Sequence, residues 1–113
     1  MNKLSFNDEI EFDETRIKTK VIVETSFSKE IRILLKSGQI MKEHKTPYPI
    51  LIHILQGKIE LGIQNENFTM KNGEIIGLNG DVPHNLTAIE DSIVRLTLSK
   101  LDKVERLKSV IDK

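Results

Sequence analysis

The sequence predicts an all-β fold, a sandwich or barrel of many short strands, on three observations. Apolar residues come in short runs of four to eight, separated by turn signals such as Ser37-Gly38, Gln56-Gly57, Asn72-Gly73 and Asn79-Gly80. The apolar residues are mainly Ile, Leu and Val, a composition that suits pleated surfaces. Within several of these runs the apolar residues alternate with polar ones, the period of a strand with one buried face.

In chain order, Glu9 to Phe12 and Ile17 to Glu24 read as the first strand-like pieces, the second built on Val21-Ile22-Val23. Both are expected at an edge of the fold. Glu30 to Lys36 is a strand ending at Ser37-Gly38, where glycine permits a tight turn. Gln39 to Thr46 is the next, and it carries His44. Pro47 and Pro49 cannot donate to a sheet ladder, so Thr46-Pro47-Tyr48-Pro49 is a corner.

Ile50 to Leu55 is nearly all apolar, which predicts a strand buried on both faces. Lys58 to Gln64 returns with Ile59, Leu61 and Ile63 in alternation. Asn65-Glu66-Asn67 is expected as a polar hairpin loop before a strand beginning at Phe68, and Asn72-Gly73 as a type I′ turn. Asn85 to Ile89 and Ser92 to Leu98 are the last two strands. After Ser99 the period changes: Leu101, Val104, Leu107, Val110 and Ile111 recur at helical spacing, with Ser99 and Asp102 as a capping pair, so a short C-terminal helix is expected over 99–113. The organisation is N-terminal strands over 1–29, a barrel over 30–98 and this helix.

The 113 residues suffice for one core. Lys plus Arg and Asp plus Glu number 17 each, so no dominant charge draws the chain to nucleic acid or to anionic lipid. The sequence has no Cys, which removes disulfides and thiolate chemistry. No apolar run approaches the roughly 18 residues of a membrane span, and no apolar stretch follows the first lysine as in a leader peptide. A soluble cytoplasmic protein is the resulting expectation. The nucleophile elbow, the P-loop and the dinucleotide fingerprint are all missing from the sequence, and its catalytic residues are unknown.

Between Gly38 and His84 the glycines and histidines fall into two spaced motifs. Gly38 is followed by His44, then Gly57; Gly73 is followed by His84. This pattern resembles the paired motifs of the cupin superfamily over roughly residues 30 to 98. The resemblance implies a double-stranded β-helix, the cupin jelly-roll barrel. The sequence departs from the family pattern at Thr46 in place of the second histidine, Ile50 in place of the glutamate, Asn79 and Asp81 in place of proline and glycine, and Ala88 in place of the final asparagine.

If cupin register holds, side chains at 44, 46, 50, 52 and 54 point inward, and His84 comes from the opposite motif to face His44. The two histidines then offer a metal site for zinc, nickel, iron or manganese, although a firmly held ion takes three or more protein ligands. The other reading is that they hydrogen-bond to each other, to Thr46 or to water beside a small organic ligand. Thr46, Tyr48, Ile50 and Ile52 are the expected ligand-binding wall. Lys42 joins them because it shares His44's parity. Glu43 points to the other face, Asp81 lies in a turn from which it can swing inward, and His53 falls on the outer face with Leu51 and Leu55.

The sequence therefore predicts a small-molecule or weak-metal binding module without turnover, the alternative being a metal-dependent dioxygenase or isomerase acting through His44 and His84. The resemblance also implies a homodimer through the N-terminal strands, the outer sheet being the other face expected to pair; the other reading leaves those strands as edge strands of one subunit.

Overall fold

The computed structural model describes residues 3–100 and is all-β over that range. Its strands are β1 (Lys18–Glu24), β2 (Ser28–Leu35), β3 (Ile40–His44), β4 (Ile50–Gln56), β5 (Lys58–Ile63), β6 (Glu66–Lys71), β7 (Ile75–Leu78), β8 (His84–Ala88) and β9 (Ser92–Ser99). They form two antiparallel sheets, one ordered β1-β2-β9-β4-β7 and the other β3-β8-β5-β6. Chain neighbours such as β3 and β4 lie in different sheets, which is how a jelly roll wraps one sheet against the other.

Alternation decides what lies between the sheets. From the five-stranded sheet Ile33, Leu35, Ile50, Ile52, Ile54, Leu78 and Val94 face inward; from the four-stranded sheet Ile59, Leu61, Met70, Leu86 and Ala88 meet them. Each fully buried aliphatic side chain contributes on the order of 1.5–3 kcal/mol of transfer free energy. Branched aliphatics fill this interior because the chain has only five aromatic residues.

Some local expectations change. Residues 9–12 form no strand, and β1 begins at Lys18. The tight hairpin with two left-handed residues is Gln64-Asn65, at φ 50° and 68°, and Glu66 and Asn67 belong to β6. At 72–73 only Gly73 is left-handed, so the type I′ expectation there fails. In the next turn the left-handed residue is Asp81, at φ 64°. β4 is buried on one face only, since Leu51 is 43% exposed. Ser99 closes β9, and the expected helix otherwise lies outside the described residues. Among the described residues no helix is long and apolar enough to cross a membrane.

Candidate functional site

β3 and β8 pair side by side, and their register sets His44 directly opposite His84. The ring centroids stand 4.3 Å apart with the planes tilted by 57°. Each ring is oriented by its own backbone: His44 Nδ1 lies 2.9 Å from the Lys42 carbonyl, and His84 Nδ1 lies 2.9 Å from the Val82 carbonyl. A carbonyl oxygen only accepts, so Nδ1 carries the proton in both rings and Nε2 is left with its lone pair. Burial lowers the pKa of His84 from 6.5, and the charge of a protonated His44 lowers it further; the hydrogen bond to Val82 opposes both. Burial at 2% exposure thus favours the neutral form of His84.

A bulge in β3 makes this geometry. Met41 pairs with Leu86 and His44 with His84, so Lys42 and Glu43 together oppose the single residue Asn85. Met41 packs on the core, and the extra residue returns His44 to that face. The simple alternation that placed Lys42 beside His44 is thereby broken, and Lys42 is exposed. Sequence reading missed the bulge because no glycine or proline marks it.

β3 ends at His44 and the corner then delivers Thr46, Tyr48 and Ile50 to the same end of the barrel. There a cavity of about 350 Å³ is lined by Thr46, Pro47, Tyr48 and Ile50, by Leu98 to Lys100 at the end of β9, and by Glu24 and Lys29 of the first hairpin. Three of the residues expected on the ligand wall are thus brought together. Ile52 is not among the lining residues; it is 1% exposed and belongs to the core. Neither histidine lines this cavity, so the expected pocket divides into an imidazole pair and a separate apolar recess.

Polar contacts hold the recess open. Thr46 Oγ1 donates to the Tyr48 carbonyl at 2.9 Å, and Ser99 Oγ donates to the Pro49 carbonyl at 2.7 Å. Lys100 Nζ reaches both Glu24 Oε2 and the Thr25 carbonyl at 2.6 Å. Gly80 packs under the corner, where a Cβ would stand 2.3 Å from the Pro47 carbonyl oxygen. Leu98 was legible from the alternation of the last strand, whereas Glu24, Lys29 and Lys100 arrive through hairpin geometry that no local pattern encodes. His53 takes the outer face as expected, in register with Arg95 and Ile75.

The metal implied by the resemblance is tested by these donors. Two Nε2 lone pairs suit a divalent ion, and Nδ1 bonded to a carbonyl is the usual support of a metal-binding imidazole. Yet among the described residues no three His, Asp, Glu or Cys side chains gather into a metal-holding group. Ile50 occupies the carboxylate position, Thr46 spends its proton on Tyr48, and Asp81 is exposed in its turn. The set does not fit a firmly held catalytic metal.

Comparison with known proteins agrees with this architecture. Residues 31–100 match the family model described as the cupin domain. Among solved structures, an RmlC-like cupin protein from Desulfovibrio desulfuricans superposes with a TM-score of 0.80 at 20% identity, over 88% of this chain and 96% of that one. A conserved protein of unknown function from Streptococcus pyogenes, SPY1581, gives 0.76 at 23% identity over 88% and 87%. KdgF from Halomonas sp. gives 0.71 at 19% identity over 88% and 94%. No curated protein matches the chain significantly. At these identities the structural likeness carries the fold alone.

Proposed function

The chain belongs to the cupin domain family, and from that premise we propose that it binds a small, mainly apolar molecule at the end of its barrel, as a binding or sensing module without turnover. The observation that carries this reading is the recess itself, walled by Pro47, Tyr48, Ile50 and Leu98 with Thr46, Glu24, Lys29 and Lys100 as its polar groups. Sites of this kind take up an apolar body and fix its orientation with a few polar contacts. Lys29 and the remaining proton of Lys100 favour a ligand that ends in an oxygen acceptor.

The test is a thermal-shift screen of small apolar carboxylates and alcohols, repeated on Leu98→Trp, whose indole fills the recess. A ligand present at a hundred times its Kd adds about 2.7 kcal/mol to the wild type, and the variant loses that gain. A panel without one saturable hit, or equal shifts in both proteins, overturns the reading.

A second reading, a metal-dependent dioxygenase or isomerase, rests on the paired Nε2 lone pairs of His44 and His84. The part these residues play is to present two ring nitrogens side by side, each ring oriented through its Nδ1; water and substrate would have to complete the shell. Metal analysis of untagged protein beside the His44→Ala, His84→Ala double variant separates the readings. Stoichiometric metal in the wild type alone favours the enzyme, and metal content unchanged by the substitutions ends that proposal. The expected homodimer stays part of this proposal, supported by the exposed Val21 and Val23 on the edge strand β1.

A further inference from the structure

The outer face of the five-stranded sheet carries a row of basic side chains. Strand register sets Lys20, Arg32, Arg95 and His53 in one row across β1, β2, β9 and β4. Arg32, in the middle, is 5% exposed. Its Nη1 donates to the carbonyls of Phe6 and Asp8, at 3.2 and 2.6 Å, and so pins the N-terminal segment to the sheet. Its Nε is buried and has no hydrogen-bond partner among the described residues.

No carboxylate among the described residues forms an ion pair with Arg32. The nearby Glu30 is committed elsewhere: its Oε1 accepts from Arg95 Nε at 3.0 Å and Thr97 Oγ1 at 2.5 Å, its Oε2 from Ser28 Oγ at 2.7 Å. A buried guanidinium with only neutral partners, set between two other cations, is costly unless an anion reaches it. The Nε and Nη2 edge left over is the edge that takes an oxyanion in two parallel bonds.

Space for that anion adjoins it. A cavity of about 550 Å³ is lined by Arg32, Lys18, Lys20, Thr19 and Leu34 from the sheet and by Glu9 and Glu11 from the N-terminal segment. Three cations against two carboxylates leave the wall net positive, and both carboxylates belong to exposed residues of the N-terminal segment.

We propose that this cleft between the N-terminal segment and β1–β2 binds a small oxyanion, a carboxylate or a phosphate group, against the free edge of Arg32 with Lys18 and Lys20 completing the site. Binding there locks residues 6–11 onto the sheet. The site is independent of the apolar recess, which opens at the inner-face end of β9.

The probes are inorganic phosphate and malonate, titrated into the full chain against chloride at matched ionic strength, with melting temperature and calorimetric affinity as readouts. The expected result is a saturable rise in melting temperature with one or both, and the stronger of the two identifies the oxyanion. Lys18→Gln with Lys20→Gln, both at the cleft rim, does not lower the anion-free melting temperature and weakens binding about tenfold, or about 1.4 kcal/mol. Arg32→Gln abolishes binding if it folds; the rim variant decides the matter if it does not. No saturable rise with either anion, or equal affinity in the rim variant, overturns the proposal. So does a fall in the anion-free melting temperature of Glu9→Gln with Glu11→Gln, which would make those glutamates the counterions of Arg32.

Discussion

β2 carries two chemistries at once, and its two faces show how differently one strand can be stabilised. Toward the barrel it presents Ile33 and Leu35 in the hydrophobic core, with the partly buried Ile31 packed against it. Away from it stand Ser28, Glu30 and Arg32, buried and polar, followed by the buried Leu34. The inner face gains from area removed from water and tolerates volume-conserving hydrophobic swaps at a cost usually under about 1.5 kcal/mol. The outer face gains only while each donor and acceptor is matched, so it depends on geometry and on pH.

The sharpest way to expose the inner half of that contrast is to leave a hole. Ile54 is 0% exposed and faces the core from β4. Ile54→Ala is expected to cost about 2–5 kcal/mol, the range for truncating a buried aliphatic side chain. Urea unfolding measures it, and a loss under about 1 kcal/mol would mean that the two sheets close over the gap.

A second, smaller effect separates the faces by acidity. On the outer side, burial raises the pKa of Glu30, but the bonds from Thr97, Ser28 and Arg95 and the charge of Arg95 outweigh it and leave it below 4.5. The stability Glu30 contributes is complete above pH 4.5 and is lost as the pH falls through its lower folded value. On the inner side the folded pKa of His84 lies below 6.5, so the unfolded chain takes up the proton first. Stability then declines as the pH falls from 6.5 to that folded value.

Melting temperature against pH should therefore fall in two stages. His84→Gln removes the upper stage and Glu30→Gln the lower. A profile whose upper stage survives His84→Gln would show that another group is responsible for it.

How much of this could be read from the residues follows the same division. Inner faces obey a period of two, so Ile50, Ile52 and Ile54, the outward His53 and the opposition of His44 to His84 were legible in pattern and motif spacing. The corner at Pro47 and Pro49 was legible because proline cannot join a ladder. The outer network was not, since Glu30, Arg32, Arg95 and Thr97 look like ordinary solvated strand residues until β2 and β9 are paired. The hairpin after β5 was legible in the polar Asn65-Glu66-Asn67, but its turn residues were not: they are Gln64 and Asn65, and neither is glycine. What failed at the site failed where the period itself breaks, in the bulge of β3.

That bulge yields the smallest expected effect. Unbroken alternation puts Lys42 on His44's face, with its ammonium at the ligand; the bulge instead leaves Lys42 exposed, opposite Asn85 together with Glu43. Only its backbone takes part in the site, through the carbonyl that holds His44 Nδ1. Lys42→Gln keeps that carbonyl, so stability should change by no more than about 0.5 kcal/mol, and affinity for any ligand of the recess should stay within about twofold, which is under 0.5 kcal/mol. Urea unfolding and the titration of a screening hit measure both. A larger loss of affinity with unchanged stability would place the ammonium at the ligand and return β3 to regular alternation in solution.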